Sequence, residues 1–148
     1  MPGAIIEFVF DTTRAVTNLI YSGTLERCPD IKFILSHAGG TVPFLAWRIT
    51  GGALFPELAR KAPQGALAYL KRLYYDTAIA GSPCTLASLR QLVDPSHILF
   101  GSDYPYLPEP LIRESIGGLE AYEGFDAEDR AAIDRGNALA LFPRLKAL

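Results

Sequence analysis

The stretch IKFILSHAGG, residues 31–40, decides how this chain is read. Ile31, Phe33, Ile34 and Leu35 form an apolar run without clean alternation, which ends in Ser36 and His37 ahead of Ala38-Gly39-Gly40. A short continuous run of this kind suits a strand of a parallel sheet covered on both faces. Two further runs have the same form, LYYDTA at 73–78 and HILFGS at 97–102. The last delivers a carboxylate, Asp103, within the turn-forming sequence SDYP.

Helical patterns separate the runs. From Asp11 to Glu26, Val16, Leu19, Ile20 and Leu25 recur near helical spacing, with Asp11 or Thr12 as the cap and Cys28-Pro29-Asp30 as the stop. VPFLAWRI (42–49) reads as a helix with Pro43 in its first turn. PQGALAYLKRL (63–73) is a further helix, and PCTLASLRQLV (83–93) another, closed by Asp94-Pro95. Asp126 caps AEDRAAIDRG, and Asn137 opens ALALF. The opening GAIIEFVF is compatible with a strand, a helical turn or a loop. Alternation of strand and helix predicts βαβ units, a parallel sheet and the α/β class, with residues 1–148 as one domain.

Bulk properties bound the function. The chain has 148 residues, 49% of them hydrophobic, and a formal net charge of -2 with both signs interspersed. No basic stripe points to nucleic acid. The apolar runs are far short of the ~20 residues of a membrane-spanning helix, and no basic-then-apolar leader opens the sequence. Cys28 and Cys84 stand in no metal or redox spacing, so both are expected as free thiols in a cytoplasmic protein.

In parallel α/β proteins the working residues gather at the carboxyl ends of the strands. His37, Asp76 and Asp103 all fall at or just past such ends. Histidine there suits metal ligation or proton transfer, and the small residues after it would leave room for a substrate beside the ring. The blander alternative is a core histidine satisfied by a backbone carbonyl. Asp103 divides evenly between a cation or hydrogen-bond partner and a cap for the following turn. Asp76 reads as a structural acceptor or a supporting partner of the site. His97 stands at the opposite end of its strand and is expected at the surface. Phe44 and Trp47 are expected in the core or an interface, and Arg48 at a solvated or salt-bridged helix end.

SHAGGTVPFLAWRI (36–49), ILFGSDYPY (98–106) and GNALALF (136–142) together resemble the amidohydrolase-related family of aminocarboxymuconate-semialdehyde decarboxylase and the aromatic-acid decarboxylases. FDTTRAVTNLIYSGTLERCPDIKFILSHAGGTVPF (10–44) is similar to its 6-methylsalicylate decarboxylase-like branch. The resemblance implies part of a (β/α)₈ TIM barrel, with the three runs as its sixth to eighth strands and helices flanking them. It implies a divalent metal, zinc most commonly or manganese, held by a His-x-His pair, a further histidine and an eighth-strand aspartate. Asp103 matches that metal-ligating aspartate. His37 matches the catalytic histidine that acts on the substrate and the metal-bound water. Arg48, eleven residues beyond His37, resembles an arginine that holds the carboxylate of a small-molecule acid in the neighbouring subunit.

The departure from that pattern is equally specific. A complete barrel takes ~250 residues. This sequence has two histidines, His37 and His97, and no His-x-His. The expectation is therefore the carboxyl-terminal portion of a barrel, with open sheet edges that favour a homo-oligomer or a complementary amino-terminal half. Its function would be that of a metal-dependent decarboxylase. The alternatives are a lactone or amide hydrolase of the same superfamily, or a non-catalytic remnant serving as a binding or oligomerisation module.

Overall fold

A computed structural model describes residues 2–147. Three short parallel strands run side by side: β1 (Ile34–Leu35), β2 (Tyr74–Asp76) and β3 (Ile98–Leu99), in the order β1-β2-β3. Ile34 pairs with Tyr74, Leu35 with Tyr75, Tyr75 with Ile98 and Asp76 with Leu99. Each strand lies within one of the three apolar runs but is shorter than it. The chain leaves the ladder where other partners take its backbone groups. Phe100 N–H, for example, donates to Ile133 C=O at 2.9 Å, outside the sheet.

The helices are α1 (Glu7–Tyr21), α2 (Thr24–Arg27), α3 (Val42–Ile49), α4 (Pro56–Ala59), α5 (Ala66–Leu70), α6 (Pro83–Leu92), α7 (Glu109–Ala121), α8 (Ala127–Ala131) and α9 (Asn137–Leu141). A π-helical turn, Ala132–Gly136, joins α8 to α9. The core lies between sheet and helices. Val16 and Ile20 of α1, Leu70 of α5, and Leu86 and Leu89 of α6 share one buried hydrophobic cluster with Tyr75 of the central strand and Ile98 of β3. Burial of each such side chain contributes about 2 kcal/mol. Tyr75 is wholly buried, its hydroxyl donates to Leu70 C=O at 2.9 Å, and desolvation pushes its phenol upward.

Several sequence expectations change. The first helix starts at Glu7, so Asp11 and Thr12 lie inside it and cap nothing. Asp11 instead pairs with Arg14 at 2.7 Å, both side chains being solvated, a contact that stabilises little. The same helix stops at Tyr21, and Gly23, at φ 76, separates it from α2. The ambiguous opening resolves into a 3₁₀ turn, Gly3–Ile5, and the first turn of α1. Gly65, at φ 81, shortens the predicted 63–73 helix to α5. α7 was not anticipated.

The expected cap at Asp126 forms, and Ser82, not anticipated, caps α6. Ser82 Oγ accepts from Thr85 N–H at 3.2 Å, and Asp126 Oδ1 from Asp129 N–H at 2.8 Å. Phe44 and Trp47 are each 84% exposed on the outer face of α3, so neither belongs to the core. His97 is half-buried rather than a surface residue, because its ring stacks on Tyr74 with centroids 4.5 Å apart. Both cysteines are free thiols.

Candidate active site

The carboxyl ends of the three strands carry an unusual backbone. Among the described residues, positive φ outside glycine occurs at His37 (56°), Ala38 (54°), Ile79 (53°) and Asp103 (59°). All four follow a strand within a few residues. Each such residue costs on the order of 1–3 kcal/mol, and clusters of this kind occur where structure is committed to a site rather than to stability.

Asp76, the last residue of β2, is the fastener. Its Oδ1 accepts His37 N–H at 2.8 Å and Ala78 N–H at 3.0 Å, tying the turn after β1 to the turn after β2. Thr77, 2% exposed, ties the second turn to the third: its Oγ1 accepts Gly101 N–H at 3.2 Å. At Gly101 a Cβ would lie 3.1 Å from the Asp76 carboxyl carbon, so a residue without one lets the chain pass close by. Burial raises the Asp76 carboxyl from its ordinary range. The two amide donors and the nearby His37 pull it back down, while Asp103 adds a further upward push.

His37 is half-buried, and its Nδ1 lies 3.2 Å from Ala78 C=O. The backbone-carbonyl alternative therefore describes one nitrogen of the ring, and among the described residues no hydrogen-bond partner reaches Nε2. The glycine pair does not open space beside the imidazole, contrary to expectation. At Gly39 a Cβ would stand 2.7 Å from the Tyr75 ring, and at Gly40 it would meet Val9 C=O. Both glycines let the turn after β1 pack onto the sheet and onto α1. Thr13 completes this packing, accepting Thr41 N–H at 3.0 Å while donating to Val9 C=O at 2.8 Å.

Asp103 does not act as a side-chain cap. Ser102 Oγ accepts Tyr104 N–H at 3.3 Å, and the Asp103 carbonyl accepts Tyr106 N–H at 2.9 Å and Leu107 N–H at 3.1 Å. No donor reaches the Asp103 carboxylate among the described residues. Arg48 lies on the exposed face of α3, and no hydrogen bond or ion pair links it to His37 or Asp103 there.

Asn137 was missed as a structural contributor. It is buried, and its Nδ2 donates to Pro95 C=O at 2.8 Å and Ile98 C=O at 2.7 Å, fixing the start of β3. An asparagine within a helical turn gives no local sign of so distant a partner.

The amidohydrolase family profile matches residues 7–144, a span that includes the strand ends carrying His37, the half-buried Asp76 and Asp103. The chain belongs to the amidohydrolase family. Over 149 aligned residues this amidohydrolase chain is 40% identical to 6-methylsalicylic acid decarboxylase of Penicillium expansum, spanning 100% of this chain and 46% of that protein. A crystal structure described as amidohydrolase II superposes with a TM-score of 0.84 at 29% identity, over 95% of this chain and 44% of the other. A dihydroxybenzoic acid decarboxylase from Polaromonas sp. JS666, holding manganese and the inhibitor 2-nitroresorcinol, gives 0.72 at 26% identity, over 86% and 38%. The chain thus spans somewhat under half the length of these relatives.

A metal fits the residues of this amidohydrolase chain only in part. Among the described residues, no three His, Cys, Asp or Glu side chains converge as an ion site. Asp103 offers one unengaged carboxylate, whereas a zinc site takes three or four protein ligands.

Proposed function

We propose that this chain supplies one portion of the active site of a divalent-metal-dependent decarboxylase acting on a salicylate-type aromatic acid. The observation that carries the reading is the placement of His37 after β1 and Asp103 after β3, at the same end of one three-stranded parallel sheet, in a chain 40% identical throughout to a 6-methylsalicylic acid decarboxylase. Asp103 is one ligand of a zinc or manganese ion, and the remaining ligands come from residues outside these 148. Manganese in the Polaromonas relative supports that choice of metal.

His37 holds and delivers the proton of the reaction. The ring carbon that bears the carboxylate gains a proton from Nε2 of the imidazolium, its bond to the carboxylate breaks, and carbon dioxide leaves as the bonding pair restores the aromatic ring. The imidazole, left neutral with its hydrogen on Nδ1, then takes up a proton from the solution at Nε2. Arg48 grips an anionic substrate group from an adjoining subunit, since a guanidinium binds carboxylates in bidentate fashion. Phe44 and Trp47, exposed on the same helix, support an interface there.

The test joins this chain to the part of the Penicillium relative that it does not span. The fused protein is expected to hold about one metal per chain and to release carbon dioxide from 6-methylsalicylate. Asp103→Ala should lose the metal, and His37→Gln should keep it but lose turnover. A folded, metal-loaded fusion that decarboxylates no hydroxybenzoate sinks the proposal.

A further inference from the structure

We infer that the Ala78–Ile79 peptide is a positioning device for His37. Ile79, held in a left-handed conformation, turns the Ala78 carbonyl onto Nδ1, so the neutral imidazole carries its proton there and leaves Nε2 as the reactive nitrogen. The functional meaning rests on the catalytic role proposed for His37, but the geometry and its test do not.

Residues 77–80 form a tight turn closed by Ala80 N–H to Thr77 C=O at 3.0 Å. In such turns the sign of φ at the third residue decides which way the central carbonyl points: a positive value flips the middle peptide over. Glycine or asparagine ordinarily fills that place. Here it is Ile79 at φ 53, and a β-branched residue is among the least suited to it. Its side chain is 55% exposed, so core packing does not offset the strain.

The flipped peptide is held at its carbonyl, and the peptide before it is held at its amide. Its carbonyl, that of Ala78, lies 3.2 Å from His37 Nδ1. Ala78 N–H, one peptide back, donates to Asp76 Oδ1, the same oxygen that accepts His37 N–H. A carbonyl can only accept, so the nitrogen facing it must be the one bearing hydrogen. The free histidine side chain in water prefers the opposite arrangement, with its proton on Nε2. Fixing one ring nitrogen through a backbone carbonyl is a recognised way to aim the other at a reacting group or ion.

His97 provides an internal reference. It shares the arrangement, with Nδ1 3.0 Å from Leu73 C=O, but stands at the other end of its strand, away from Ile79. With two histidines in the chain, long-range nitrogen–proton correlation spectra of the labelled full chain, in mildly alkaline buffer, separate both rings. His37→Gln assigns them.

Both rings are expected with hydrogen on Nδ1. Ile79→Gly accepts the positive φ, so it should leave both patterns in place and raise Tm. Ile79→Pro forbids positive φ and removes no hydrogen bond found among the described residues. It should move the His37 pattern toward Nε2–H or an average while His97 stays put. A wild-type His37 protonated on Nε2 or averaging overturns the inference. So does an Ile79→Pro protein with an unchanged His37, or an Ile79→Gly protein less stable than wild type. If Ile79→Pro fails to fold, the wild-type spectrum and Ile79→Gly still decide. None of these readouts depends on decarboxylation, so the two readings fail separately.

Discussion

Replacing Asp76 by asparagine and by alanine separates its fastening role from its charge. Asparagine retains an oxygen at the Oδ1 position, so His37 N–H and Ala78 N–H keep their acceptor. It also removes a carboxylate whose burial is unfavourable, so its stability should stay within about 1 kcal/mol of wild type. Alanine leaves both amides unpaired, at about 1–3 kcal/mol each, or roughly 2–6 kcal/mol together. For a chain of this size that corresponds to a Tm about 10 °C lower than that of the asparagine variant. The charge appears in the pH dependence. Burial raises the native carboxyl above its ordinary 3.8, so the folded chain binds this proton more tightly than the unfolded one. Stability should therefore fall as pH rises from 3.8 through the raised native value, and this contribution should vanish in Asp76→Asn. Urea titrations across that interval measure both effects. An alanine variant as stable as the asparagine variant would refute the fastening argument.

Three other substitutions test separate parts of the structure. Asn137→Ala strands the buried carbonyls of Pro95 and Ile98 and should cost about 2–4 kcal/mol by chemical denaturation; a loss below ~1 kcal/mol would show that water or a shifted chain replaces the amide. Gly117→Ala, on α7 with nothing near the added methyl, should stabilise by about 0.5–1 kcal/mol. Gly39→Ala, at φ 74 against the Tyr75 ring, should destabilise by at least ~2 kcal/mol and perturb the near-ultraviolet tyrosine signal. Equal Tm changes in the two glycine variants would refute the packing assigned to the turn after β1.

The parallel sheet was legible because Ile34, Leu35, Tyr75, Ile98 and Leu99 sit in continuous apolar runs, although the expected cover on both faces fails at β1, where Ile34 is exposed. Placement of His37 and Asp103 followed from those runs, since the chain must turn where each one ends. Other features lacked a local sign. The paired Gly117-Gly118 lowers helix propensity and masks α7, yet Gly118 is where that helix meets Gly81 C=O. The glycines after His37 suggested open space, but their neighbours, Tyr75 and Val9, are remote in sequence. Ile6 precedes α1 without a side-chain cap, so Asp11 looked like a better start than it is. Nothing in an isoleucine announces a left-handed backbone, which left Ile79 unread. Asp76 was legible as an acceptor, but not as the acceptor of the histidine's own amide.

The shared oxygen of Asp76 also governs how this region can change. Because His37 and Ala78 hang from one atom, the turns after β1 and β2 open to solvent together rather than one at a time, and their amide protons should exchange as a pair. The same linkage constrains divergence. An insertion or a new side chain in the second turn, where a change of specificity would ordinarily be accommodated, is transmitted to the imidazole in the first. Loops built this way diversify as a coupled set, with the acid at the end of β2 as the element they cannot lose separately.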